Sequence, residues 1–211
     1  MSVLDFGVEV IAISASGVLA PGPLFFTNLL YGSRRGARSG IKVAYGHTVV
    51  ELPLIILLAT GLFASTATNQ YPGAIGLAGG IGILGFAGLQ IASVVSNRNV
   101  QAAPAMASGK SPFVAGIALS ALNPFFLFWW FTVGLKLIAD SATFGFAAGI
   151  MILFALHIWM DYAWLVGTAY IASKGSSVLK SKYYQLLLLA LAAILLYYGV
   201  HFTLTGIGAL S

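Results

Sequence analysis

The sequence predicts an all-α integral membrane protein of six transmembrane helices, arranged as two inverted-topology three-helix repeats. Three observations lead there: apolar runs too long for a soluble domain, basic residues confined to alternate loops, and polar features that recur in both halves. Of the 211 residues 59% are hydrophobic and only 7% are charged, where ordinary soluble domains carry about a quarter charged residues. A hydrocarbon core of about 30 Å takes roughly 20 apolar residues per helix, so the chain holds about six spans and little else. The runs lack the period-two alternation of outer-membrane strands, which leaves a helix bundle as the way to satisfy the backbone in lipid.

The spans fall near residues 6–31, 41–65, 73–96, 112–138, 144–172 and 183–208. They form one transmembrane domain over 1–211, with repeat one at 1–96, a cytoplasmic linker at 97–111 and repeat two at 112–211. Arg34, Arg35, Arg38 and Lys42 follow the first span, Arg98 and Lys110 lie in or beside the linker, and Lys174, Lys180 and Lys182 precede the sixth. The opposite side carries only Lys136. The positive-inside rule therefore expects those basic loops in the cytoplasm and both termini outside, in a multi-pass protein of the cell membrane.

The net charge of +5 then reflects loops that face anionic lipid headgroups, and nucleic acid is not expected as a partner. Cysteine is absent, which excludes disulfides, thiolate metal sites and cysteine catalysis. Asp5 and Glu9 stand where a signal peptide would be basic, so a cleaved leader is not expected. No phosphate-binding loop, zinc-protease signature or Ser-His-Asp constellation is visible, so neither an enzyme nor a cofactor is expected.

Span one contains Ser16-Gly17-Val18-Leu19-Ala20-Pro21-Gly22-Pro23 near its middle. A proline inside a helix removes a hydrogen bond and clashes one turn back, at about 3 kcal/mol or more, so Pro21, Gly22 and Pro23 predict a break or strong kink. Such a kink serves packing alone, or it opens backbone groups to a central cavity as in many secondary transporters. Span two places His47 and Glu51 at i,i+4, on one helix face. Span three is glycine-rich, with Gly76 and Gly80 at the spacing of close helix packing.

Span four repeats the break as Leu119-Ser120-Ala121-Leu122-Asn123-Pro124, at a depth equivalent to that in span one, which favours the cavity reading. Its Trp129, Trp130 and Phe131 line a path or face lipid. Span five repeats the ionisable pair as His157 and Asp161, again i,i+4. Glu51 lies about ten residues and Asp161 about eleven from the cytoplasmic end of its span, near mid-membrane at roughly 1.5 Å per residue. His47 then lies on the cytoplasmic side of its acid and His157 on the outer side of its own, the relation an in-plane two-fold axis produces. Ionisable groups at that depth cost about 2.5–3.5 kcal/mol on insertion scales and should face the protein interior. In span six, Tyr197 and Tyr198, with Tyr183 and Tyr184 at its start, suit the interfacial belts.

Ala20-Pro21-Gly22-Pro23, the loop Gly32-Ser33-Arg34-Arg35-Gly36-Ala37-Arg38-Ser39-Gly40, and Asn123-Pro124 together resemble the LysE/RhtB family of amino-acid exporters, and the similarity runs across nearly the whole chain. The resemblance implies export of amino acids such as lysine, arginine, threonine or homoserine, driven by the proton or membrane gradient. Leu24 and Phe125 stand where family members often carry asparagine and lysine, which leaves the particular amino acid open.

On this reading Pro21, Gly22, Pro23, Asn123, Pro124, Glu51 and Asp161 contact substrate, and Glu51, Asp161, His47 and His157 carry protons. The partners are then an amino acid, protons and the bilayer, with a homo-oligomer left open. No resident metal is expected. Two alternatives stay open: a divalent-metal exporter that uses His47, Glu51, His157 and Asp161 as ligands, and a membrane enzyme or non-transporting subunit.

Overall fold

The computed structural model describes residues 2–20, 22–66, 72–95, 111–174 and 182–208, and among these the chain is helical without strands. Pro21, Arg98, Lys110 and Lys180 lie outside the described residues, as do the side chains of Gly76, Tyr183 and Tyr184. Among the described residues nine α-helices follow in order: α1 (Val3–Val18), α2 (Pro23–Arg35), α3 (Ala37–Thr66), α4 (Pro72–Val95), α5 (Pro112–Ala121), α6 (Pro124–Trp129), α7 (Leu135–Ser141), α8 (Phe146–Ser173) and α9 (Lys182–Gly208). A π-helical turn, Trp130–Gly134, joins α6 to α7, and a 3-10 turn, Ala142–Phe144, leads toward α8.

Among the described residues, Ala37–Leu62, Phe125–Phe144 and Phe146–Ser173 are each long and apolar enough to cross a bilayer. The pair α1 and α2, bent by 73°, makes a fourth if it counts as one broken span. The remaining long helices, α4 at 24 residues and α9 at 27, reach about 36–40 Å at 1.5 Å per residue. Together these features make the chain a multi-pass membrane protein.

The prolines act differently from a helix-interior kink. Pro23, Pro112 and Pro124 each sit in the first turn of a new helix, where the missing N–H has no partner to lose. The chain thus stops after Val18 and after Ala121 and restarts at Pro23 and Pro124. Pro53, by contrast, lies inside α3, which continues through it.

The corner before α8 is tighter than the span boundaries imply. The helix runs to Ser141, beyond the expected end near 138, and Gly145 turns the chain at φ 83°. That conformation is open to glycine because no Cβ meets the carbonyl.

Bundle packing rests on close backbone approaches. A Cβ added at Gly32 or Gly40 would strike the α8 backbone at Ala169 or Leu165, and one at Gly46 would strike Phe113 and Gly116 of α5. Gly80 of α4 lies against Thr203 of α9, and these two helices run side by side. In lipid, where apolar burial between helices gains little, such small-residue seams supply the dispersion contact that holds helices together.

Among the described residues two hydrophobic clusters result. One gathers Phe6, Val10, Ile13, Ile55, Ile83, Trp130, Leu153 and Leu195, and the other Tyr31, Val43, Ala44, Ala115, Leu119 and Leu165. Along α3 the segment between Ala44 and Ile55 carries His47 and Glu51, and along α8 the segment between Leu153 and Leu165 carries His157 and Asp161. The four ionisable residues therefore sit at the seam between two apolar clusters.

Candidate functional site

The i,i+4 spacing on α3 and on α8 puts each histidine one turn from its acid, and the packing of α3 against α8 brings the two pairs together. All four side chains are buried, with Glu51 only 1% exposed. His47 Nε2 lies 3.3 Å from Glu51 Oε1 and 3.8 Å from Asp161 Oδ1. His157 Nε2 lies 3.2 Å from Glu51 Oε1 and 3.2 Å from Asp161 Oδ2. Each histidine thus reaches the acid of the other helix as well as its own. Sequence spacing predicts the pairs; the crossed contacts come from the helix packing.

The other ring nitrogen of each histidine is held by a serine of a helix that stops shortly before a proline restarts the chain. His47 Nδ1 is 2.6 Å from Ser120 Oγ of α5, and His157 Nδ1 is 2.8 Å from Ser14 Oγ of α1. Ser120 donates its own proton to the Gly116 carbonyl at 2.7 Å, so it accepts from His47 Nδ1–H. That assignment, drawn from the hydrogen-bond network, leaves the lone pair of a neutral His47 on Nε2, facing the carboxylates. Composition and spacing do not single out Ser14 and Ser120 as partners of the histidines, because a lone serine in an apolar helix most often bonds back to its own carbonyls. The signal the sequence does hold is their position, just before the two breaks.

Trp130 completes the surroundings. The π-helical turn that begins at Trp130 widens the helix by one residue, a feature frequent at functional sites. Its indole N–H donates to Glu51 Oε1 at 3.2 Å. Gly134 makes room, since a Cβ there would overlap the Trp130 ring. Both Trp129 and Trp130 are buried, whereas Phe131 is exposed. Trp130→Phe removes a donor from a buried carboxylate, and a loss of about 1.5–3 kcal/mol of stability is expected, read by thermal unfolding in detergent.

The two breaks approach each other. A Cβ on Gly22 would lie 3.8 Å from Asn123 Nδ2, and Asn123 Oδ1 caps α6 by accepting from Phe125 N–H at 3.0 Å. Gly22 precedes α2 with extended backbone and no side-chain cap. Phe126, just past Pro124, sets its ring edge against His47 with centroids 5.0 Å apart. Trp129 packs on Gly17 and on His157, 5.6 Å between ring centroids. The structure thereby joins Gly22, Asn123 and the four ionisable residues through a few side chains.

Asn28, the asparagine nearest the first break, ties α2 to α8 by donating to the Leu165 carbonyl at 2.8 Å and to Thr168 Oγ1 at 3.0 Å. Lys136 stands apart from the quartet, paired with Asp140 and 3.8 Å from the centre of the Phe202 ring. Tyr197 is exposed as a belt residue would be, but Tyr198 packs on the core.

Chemically, two carboxylates and two imidazoles in an apolar seam, with backbone freed at two helix breaks beside them, can bind a small cation or exchange protons. A family model described as LysE type translocator matches residues 15–206. Neither the curated proteins nor the solved structures yield a match.

Proposed function

The chain belongs to the LysE type translocator family, and from that membership we propose that it exports small amino acids across the cell membrane, driven by the proton gradient. Members of this family are membrane transporters and not enzymes, which sets the class of activity. The observation that carries the finer reading is the buried quartet of His47, Glu51, His157 and Asp161 beside two interrupted helices. A substrate ammonium and a proton are alternative charges for Glu51 and Asp161, and the histidines relay protons away from them. The backbone at Pro21, Gly22, Pro23, Asn123 and Pro124 meets the remaining polar groups of the substrate, with lysine or arginine as the leading candidates.

The same reading extends to topology. We propose six spans in two inverted repeats, α1 with α2 corresponding to α5 through α7, α3 to α8, and α4 to α9. The crossed serine contacts support it: His157 of α8 binds Ser14 of α1, and His47 of α3 binds Ser120 of α5, so each pairing is the other under that exchange. Both termini then lie outside.

The test is efflux of lysine, arginine and threonine from proteoliposomes, with and without an imposed pH gradient. Efflux of at least one of them, accelerated by the gradient, is expected. Flux of none under any gradient would overturn the amino-acid reading, and flux indifferent to the gradient would overturn the coupling.

A further inference from the structure

We propose that His47, Glu51 and Asp161, with His157 beside them, form a binding site for one divalent first-row transition-metal ion of zinc-like size, and that its occupancy blocks transport. Binding is argued from the quartet's own geometry; the block rests on the exporter reading above.

A hydrogen bond between a charged donor and a carboxylate closes to about 2.7–2.9 Å. The contacts within the quartet are longer, at 3.3, 3.2 and 3.2 Å, with the fourth at 3.8 Å. Ligands in a tetrahedron stand about 1.63 bond lengths apart, so zinc bonds of about 2.0–2.1 Å put neighbouring donors about 3.3–3.4 Å apart. The His47–Glu51 separation falls on that edge length, and Asp161 Oδ1 stands somewhat wider of His47, within reach of one ion. In addition, His157 Nε2 lies 3.2 Å from both carboxylates yet meets hydrogen-bond geometry only toward Glu51 Oε1, which leaves Asp161 Oδ2 buried without a hydrogen-bond partner. The donor atoms of His47, Glu51 and Asp161 lie within 4.8 Å of one another.

Histidines that bind metals donate their far N–H to an outer partner, which fixes the tautomer. Ser120 plays that part for His47, since its own proton is committed to Gly116, and Ser14 stands at the same atom of His157. Nε2 of a neutral His47 then presents a lone pair to the centre. Glu51 Oε2 is buried without a hydrogen-bond partner, a spare donor atom of the kind a cation takes up.

Two carboxylates and two neutral imidazoles balance one dication. Lys136, the one described cation in α6 through α8, is already paired with Asp140. Mixed imidazole and carboxylate donors without thiolate favour zinc, cobalt, nickel or manganese over copper(I), and the nitrogen ligands disfavour calcium and magnesium. Because the ligands come from both α3 and α8, a bound ion ties these helices together and takes the place of a substrate ammonium.

The experiment uses full-length protein without a histidine tag, stripped with chelator and titrated with cobalt(II) in detergent. A visible d–d band of four-coordinate cobalt is expected to saturate at about one ion per chain, to disappear on adding zinc and to survive excess magnesium. Glu51→Gln should remove the band. Ser120→Ala keeps His47, Glu51 and Asp161 and should weaken cobalt binding roughly 10–100-fold, the usual cost of losing an outer partner. His201→Ala, at an exposed residue of α9, should change nothing. No band, or a band untouched by both Glu51→Gln and Asp161→Asn, overturns the site while leaving amino-acid export standing. In proteoliposomes that export an amino acid, zinc should stop the flux; binding with undiminished export, or zinc itself crossing the membrane, overturns the block.

Discussion

Glu51→Gln is expected to abolish gradient-driven export while leaving the protein folded, and Asp161→Asn to do the same. The amide keeps the shape of each side chain, and at Glu51 it still offers an oxygen to the Trp130 indole, so packing at the seam is preserved. What is lost is the negative charge, and with it both the counter-ion for a substrate ammonium and the group that takes up a proton. In each variant His47 and His157 keep one acid and face one neutral amide, so the paired acids that bind and release the proton are reduced to one. The measurement is efflux from proteoliposomes with and without an imposed pH gradient, on protein that elutes as a single species. Wild-type gradient dependence in both variants would make the acids structural clamps and move the site to the two helix breaks.

Gly46→Val and Gly116→Val are each expected to prevent the bundle from assembling. These glycines face each other where α3 crosses α5: a Cβ at Gly46 would stand 3.0 Å from Gly116 Cα, and one at Gly116 would stand 3.0 Å from Gly46 Cα, with helix backbone nearer still on both sides. Backbone cannot rotate away as a flexible side chain can, so the expected cost is about 3 kcal/mol, at the upper end of overpacking. The crossing also sets the site, because His47 adjoins Gly46 and Ser120 lies one turn from Gly116. Size-exclusion yield and thermal unfolding check the result. Gly61→Val and Gly85→Val supply the contrast, since a Cβ at either position meets nothing within 4 Å, and both should leave yield and unfolding close to wild type. Equal losses in all four variants would place the effect in helix propensity and not in the crossing.

What the sequence by itself determined is whatever depends on chemistry within a few residues along the chain. Apolar runs made long helices in lipid, and Pro21-Gly22-Pro23 and Asn123-Pro124 marked where two helices stop and restart, because proline starts a helix more readily than it continues one. The four-residue spacing of His47 with Glu51 and of His157 with Asp161 placed each pair on one helix face through the helical repeat alone. Only the tertiary structure decided which faces meet. The rotation and depth of α3 against α5 and α8 follow from backbone contacts at Gly46, Gly116 and Gly40, and no local propensity encodes which partner a glycine will touch. From that packing come the reach of His157 to Glu51, the serines that hold the far imidazole nitrogens, and the Trp130 donor turned inward by its π-helical turn. Each of these joins residues dozens of positions apart, and in a bilayer such contacts are chosen by close packing and hydrogen bonding between helices, not by hydropathy, which is nearly the same on every face.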